Sequence, residues 1–183
     1  MALAAERSLS SSPVEENRAA LMAMTLYVNG WNPARLVPDA RDWPSAPRRS
    51  LRLAGRHDLA QHFIVSAVIA AAAGTPIAAA AGVYKELSDA RDGSGFSFSD
   101  IAADRAGERF GALATQSDQS AREIQRRVAA GVRDGDVMPG ISGLADNMTD
   151  LEFQRRFGGV GSAAYNNVIE DITRRVLALS LYR

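Results

Sequence analysis

The sequence predicts an all-α fold: a compact helical domain built on a central Ala-rich antiparallel hairpin, with a Pro/Trp-rich irregular arm. Three observations predict it. Most of the chain divides into segments with apolar residues at helical spacing, several of them opened by a Ser or Thr cap. A run of 22 uncharged residues between His62 and Lys85 is rich in alanine and is broken at its middle by Gly74-Thr75-Pro76. Only one stretch, Ser50–Ala54, alternates in the manner of a strand, and it is too short to make a sheet.

Met1–Ser12 has no basic region followed by a long apolar core, so it reads as a flexible N-terminus or the remnant of a leader. Residues 13–183 read as one helical domain. Ser12, Pro13 and Glu15 supply an N-cap, a first-position proline and a capping-box acid. The helix they open carries Leu21, Met24, Leu26, Tyr27 and Val28 and ends at Asn29-Gly30. Prolines 33, 38, 44 and 47 then exclude a regular helix. Trp31 and Trp43 are expected to anchor this extended arm on the helical core, the alternative being a peptide-binding groove of aromatics beside prolines.

The uncharged run is long enough for a membrane span. Gly74 ends a helix, Thr75 caps the next and Pro76 suits its first position, so a hairpin explains the run better, with arms at about 57–73 and about 76–90. Small side chains let such arms approach near the short end of the ~8–10 Å range. His62 lies twelve residues before Gly74 and Glu86 twelve after it. In an antiparallel hairpin they share one level, roughly 18 Å from the turn at ~1.5 Å per residue. Ser66 lies on the His62 face and Asp89 on the Glu86 face.

Asp92–Ser97 is a glycine-rich turn leading to a helix at about 98–114. Ser97 and Asp100 form a candidate capping box, and Asp100 and Asp104 sit one turn apart on one face. Gly107 and Gly111 repeat that spacing and permit close packing. Ile124, Val128 and Val132 mark an amphipathic helix over about 121–132, with its arginines facing solvent. Residues 133–148 read as a loop. Thr149 and Glu152 open a short helix through Phe157, and Ser162 caps a final helix from Ala163. The string Gly159-Val-Gly161-Ser-Ala-Ala164 matches a dinucleotide fingerprint formally. A polar helical segment precedes it instead of the required strand, and a glycine-rich turn accounts for it.

His62-Phe63 with Ser66, Lys85-Glu86-Leu87 with Asp89, and Gly95-Phe-Ser-Phe-Ser-Asp100 with Ala103-Asp104 and Gly107 together resemble the pattern of the YfiM-type predicted periplasmic lipoproteins. More distantly the order is similar to the VanZ-like pattern of a His, a later Glu and a final Asp-x-x-x-Asn/Asp-x-x-Gly. Arg56-His57 stands where these families often place Asp-Lys. The resemblance implies a periplasmic or cell-envelope setting and supplies no reaction; a cytoplasmic location is the alternative.

Two functional readings emerge. In one, the His–carboxylate cluster is structural: His62 donates to Glu86 or Asp89, Asp100 caps its helix, and Asp104 pairs with Arg105 or another arginine, since an unpaired buried ion costs several kcal/mol. In the other, it is a metal-dependent or acid–base hydrolytic site. His62, Glu86, Asp100 and Asp104 are the candidate ligands of a divalent cation such as zinc, manganese or iron, and His62, Glu86 and Asp89 the candidate catalytic residues. The 21 basic and 21 acidic residues balance, which leaves no overall electrostatic footprint for nucleic acid or an anionic membrane. With no cysteine there is neither disulfide nor thiolate metal site. The partners left open are an envelope protein, a lipid, or a second copy of the chain.

Overall fold

A computed structural model describes residues 12–44, 46–47, 49–72 and 95–183. It is all-α: seven α-helices and three short 3-10 turns, with no strand among the described residues. We label the helices α1 (Pro13–Asn29), α2 (His57–Ala72), α3 (Phe98–Thr115), α4 (Asp118–Ala129), α5 (Asp134–Val137), α6 (Asp150–Phe157) and α7 (Ala163–Leu177). The second hairpin arm, Glu86, Asp89 and the His62–Glu86 register lie outside the described residues.

The caps fall where local chemistry directs them. The Ser12 hydroxyl accepts from the Glu15 N–H, and Gly30, in the left-handed region at φ 68°, closes α1. Thr149 and Glu152 form a reciprocal capping box on α6, and Ser162 caps α7. The amphipathic helix starts three residues before its expected position, because Ser117 and Ser120 form a capping box there. The Ser50–Ala54 strand does not form. The segment ends in a tight turn, with Ala54 and Gly55 both at positive φ and a lone bridge between Leu53 and Arg56.

Helices α2 and α3 are the axis of the fold. A Cβ built on Gly107 would stand 2.0 Å from the Phe63 carbonyl oxygen, and one on Gly111 would stand 2.0 Å from that of Ala67. Both pairs advance together along the chain, so the two helices run parallel, backbone against backbone. Ala103, one turn before Gly107, is fully buried and continues the small-residue seam. This is the close packing expected of the two glycines.

The core lies on two sides of this axis. On one side Leu59, Phe98, Ala102 and Ala106 meet Met138, Met148, Phe153, Ile172 and Val176. Phe96 stacks on Phe153 at 3.9 Å between ring centroids. On the other side Leu21, Val65, Val68, Phe110, Ala114, Ile124 and Leu181 close α1 and α4 onto the pair. A buried amide ties α1 to α3 and α4: Asn17 donates to the carbonyls of Ala114, at 2.7 Å, and Ala121, at 3.3 Å, and accepts from Gln125 at 2.9 Å.

The arm between α1 and α2 departs from expectation. Trp31 is partly buried. Trp43 is 57% exposed and does not anchor on the core, whereas Ala40 is buried. Two 3-10 turns, Pro33–Arg35 and Pro38–Asp42, give the arm its shape, because each proline presets φ for a first turn.

Candidate functional site: a charge cluster at the parallel helix ends

Parallel packing brings the N-terminal ends of α2 and α3 together, and with them the polar residues of their first turns. His62 sits on α2 with Asp100 and Asp104 across from it on α3. Its Nδ1 is 3.2 Å from Asp104 Oδ1 and its Nε2 3.5 Å from Asp100 Oδ2. The two ring nitrogens point in opposite directions, so the carboxylates lie on opposite sides of the imidazole. Ser66, one turn along α2, donates to the same Asp104 oxygen at 2.8 Å.

Arg56, delivered by the Ala54-Gly55 turn, extends the cluster. Its Nε and Nη2 grip Asp58 in a two-point contact at 3.1 and 2.5 Å. Its Nη1 pairs with Asp146 and donates to the Ser99 hydroxyl, which in turn donates to Asp146. Its Nη2 also stands 3.5 Å from Asp100 Oδ1. The planar guanidinium suits this forked role, which a lysine could not fill. Asp58 and Asp100 also occupy the first turns of their helices, where the helix dipoles favour negative charge.

The carboxyls divide by environment. The Arg56 hydrogen bonds hold Asp58 below its ordinary pKa. Burial pushes Asp146 up, but hydrogen bonds from Ser99, Arg56 and Ser97 outweigh it and leave this carboxyl below its ordinary value too. Asp100 moves the other way. Burial raises it, His62 opposes that, and the charges of Asp146 and Asp58 add to the rise. Its Oδ1 is buried and accepts no hydrogen bond.

Several expectations change here. The Ser97–Asp100 capping box does not form: the Ser97 hydroxyl accepts from the Asn147 N–H at 2.9 Å, and Asp100 turns to His62 and Arg56. Tertiary partners outcompete the local motif. Asp104 faces His62 and Ser66. Of the candidate site residues, His62, Asp100 and Asp104 do meet. Glu86 and Asp89 fall outside the described residues.

Arg56, Asp58, Ser99 and Asp146 belong to the cluster although sequence reasoning did not select them. Asp146 is ninety residues from Arg56 in a loop, and no spacing rule connects them.

Chemically, Ser66 is bonded to a carboxylate and not to the imidazole, so it lacks the base that activates a nucleophilic serine. Among the described residues no group of three or more His, Asp or Glu side chains is arranged to hold a metal ion. Opposed placement explains this for His62, Asp100 and Asp104: an ion on either ring nitrogen faces only one of the two aspartates.

The described residues thus form an all-α fold with a partly buried charge cluster between the N-terminal ends of two parallel helices. No protein-family model, no curated protein and no solved structure matches the chain.

Proposed function

We propose that the chain is a bacterial, envelope-associated helical protein whose His–carboxylate cluster is structural, a clamp holding the N-terminal ends of α2 and α3 in register. One observation carries the structural part: both ring nitrogens of His62 face carboxylates of the opposing helix, so the imidazole is spent on bridging. The envelope part rests on the resemblance of the motif pattern to those of the YfiM-type and VanZ-like families. No helix among the described residues is long and apolar enough to cross a membrane.

A second reading is a metal-dependent or acid–base hydrolase using His62, Glu86, Asp89, Asp100 and Asp104. It is favoured by Asp100, whose buried, unbonded Oδ1 and raised pKa are properties of a proton-holding carboxyl. Metal analysis of the purified protein, with thermal melts of wild type and His62→Ala in added zinc or manganese, separates the readings. The clamp predicts a metal-free protein and a variant destabilised by ~1–3 kcal/mol, as for a broken buried hydrogen bond. A stoichiometric metal lost in His62→Ala would replace the clamp with the metal site. Hydrolysis of ester or phosphoester probes by the metal-free protein, abolished in His62→Ala, would replace it with an acid–base site.

A further inference from the structure

Large apolar side chains stand exposed at eight described positions, and four of them fall between residues 24 and 43: Met24, Leu36, Val37 and Trp43. The others, Val132, Leu151, Val160 and Leu177, are spread over residues 132–177. Isolated exposed apolar residues are ordinary, whereas several on one short segment call for an explanation.

The segment that carries three of them is ordered by its own bonds. The Val37 N–H donates to Pro33 O at 2.9 Å, the Ala40 N–H to Val37 O at 2.9 Å and the Trp43 N–H to Ala40 O at 3.3 Å. This chain of turns holds Leu36, Val37 and Trp43 in one unit around the buried Ala40. Both ends of the arm are tied to α1: the Trp31 N–H donates to Leu26 O at 2.8 Å, and the Tyr27 hydroxyl donates to Pro47 O and accepts from the Arg49 N–H. The apolar tip is therefore presented in a shape set before any binding, which lowers the entropy cost of docking.

Charge distinguishes the arm further. Residues 31–52 hold five arginines (35, 41, 48, 49 and 52) against Asp39 and Asp42. The chain as a whole is neutral, so the rest of it is net negative. Arg35, Arg41 and Arg49 of the arm are exposed, as are Asp39 and Asp42. Tryptophan with aliphatic side chains and flanking arginines is the combination that partitions into the interface of a bilayer and pairs with its phosphates.

We propose that this arm docks the protein on an anionic lipid surface. Trp43, Leu36 and Val37 enter the interfacial layer, and Arg35, Arg41 and Arg49 meet the phosphate headgroups. The negative remainder of the molecule is held away from the bilayer, which fixes its orientation. The inference deepens the envelope reading and rests on it for the presence of a bilayer, but not for the binding itself.

The test is co-sedimentation of the full chain with vesicles of equimolar phosphatidylglycerol and phosphatidylcholine, against vesicles of phosphatidylcholine alone. The expected result is binding to the anionic vesicles that is lost at about 0.5 M salt. Trp43→Ser, and separately the double variant Leu36→Ser/Val37→Ser, should weaken it about tenfold. Each of Arg35→Gln and Arg41→Gln should weaken it about fivefold. Leu151→Ser/Val160→Ser, elsewhere on the surface, should bind as wild type. In a Trp31→Phe background, Trp43 fluorescence should shift to the blue on binding.

Absence of binding, binding indifferent to lipid charge, or binding unchanged by both tip variants would overturn the proposal. So would a self-association in analytical ultracentrifugation that Trp43→Ser abolishes, because the tip would then be an interface between copies. Cell fractionation keeps the two readings apart. A vesicle-binding protein found away from the envelope defeats only the envelope reading. An envelope protein that ignores these vesicles defeats only this one.

Discussion

Gly107 of α3 lies directly against the Phe63 carbonyl of α2, with no room between them for a methyl group. The contact recurs one turn on at Gly111 and Ala67. These two points set the spacing of the parallel pair, and with it the distance across which His62 reaches Asp100 and Asp104.

Gly107→Ala should therefore force the helices apart. The clash is with backbone, which cannot rotate away as a side chain would. A loss of about 3 kcal/mol is expected in urea unfolding, at the upper end of overpacking costs. Gly111→Ala should cost a similar amount, and the double variant should fail to fold. By contrast Gly135→Ala, with nothing near its Cβ position, should be close to neutral.

Arg56 is the hub of the carboxylate network. Arg56→Ala leaves Asp58 and Asp146 without their strongest partner. Both are partly solvated, so the cost should be about 1–3 kcal/mol and not the larger penalty of a fully buried charge. Arg56→Lys should recover less than half of it, because one ammonium cannot bridge three carboxyls in the fork geometry. Double-mutant cycles of Arg56→Ala with Asp146→Asn should show coupling, whereas a pair with the remote Asp171→Asn should be additive.

Acid should weaken the fold through Asp58 and Asp146. Both have folded pKa values below the unfolded value, which is about 3.9. Their stabilisation is full above that value and is lost as pH falls through their folded pKa values. Asp100 has the opposite sign. Its folded pKa is raised, so its contribution is most favourable at low pH and turns against folding as pH rises through and above the unfolded value. Melts between about pH 2 and pH 7 should show Asp146→Asn destabilised at neutral pH and converging on wild type in acid. Asp100→Asn should match or exceed wild type at pH 7 and lose that advantage in acid.

Asn17 is fully buried and joins α1 to the α3–α4 junction. Asn17→Leu removes donors to two carbonyls and the acceptor for Gln125, leaving buried polar groups unpaired. A loss of about 2–3 kcal/mol is expected in denaturant unfolding. Asn17→Asp should be worse, because a carboxylate facing two carbonyl oxygens repels where the amide donated.

Local chemistry made much of the fold legible. Ser12-Pro13 and Gly30 mark the ends of α1 because a cap needs only its neighbours in sequence. The same holds for Thr149 with Glu152 and for Ser162. Gly107 and Gly111 announced a close approach, since that spacing puts two missing side chains on one helix face. His62, Asp100 and Asp104 were legible as polar residues on otherwise apolar or small-residue faces.

What the chain's pattern alone determined, then, is the class of fold, the helix ends and the polar residues that would have to find partners. Only the tertiary structure decided which partners those are. Ser97 and Asp100 match a capping box, yet each makes a more distant contact instead. Arg56 and Asp146 meet across ninety residues, and Trp43 is held in solvent by a loop whose ends are tied elsewhere. The physical reason is one of range. Caps and turns depend on backbone groups within three or four residues, so adjacent sequence specifies them. Ion pairs and exposure depend on where whole helices sit, and here that is set by two glycines letting α2 and α3 close side by side.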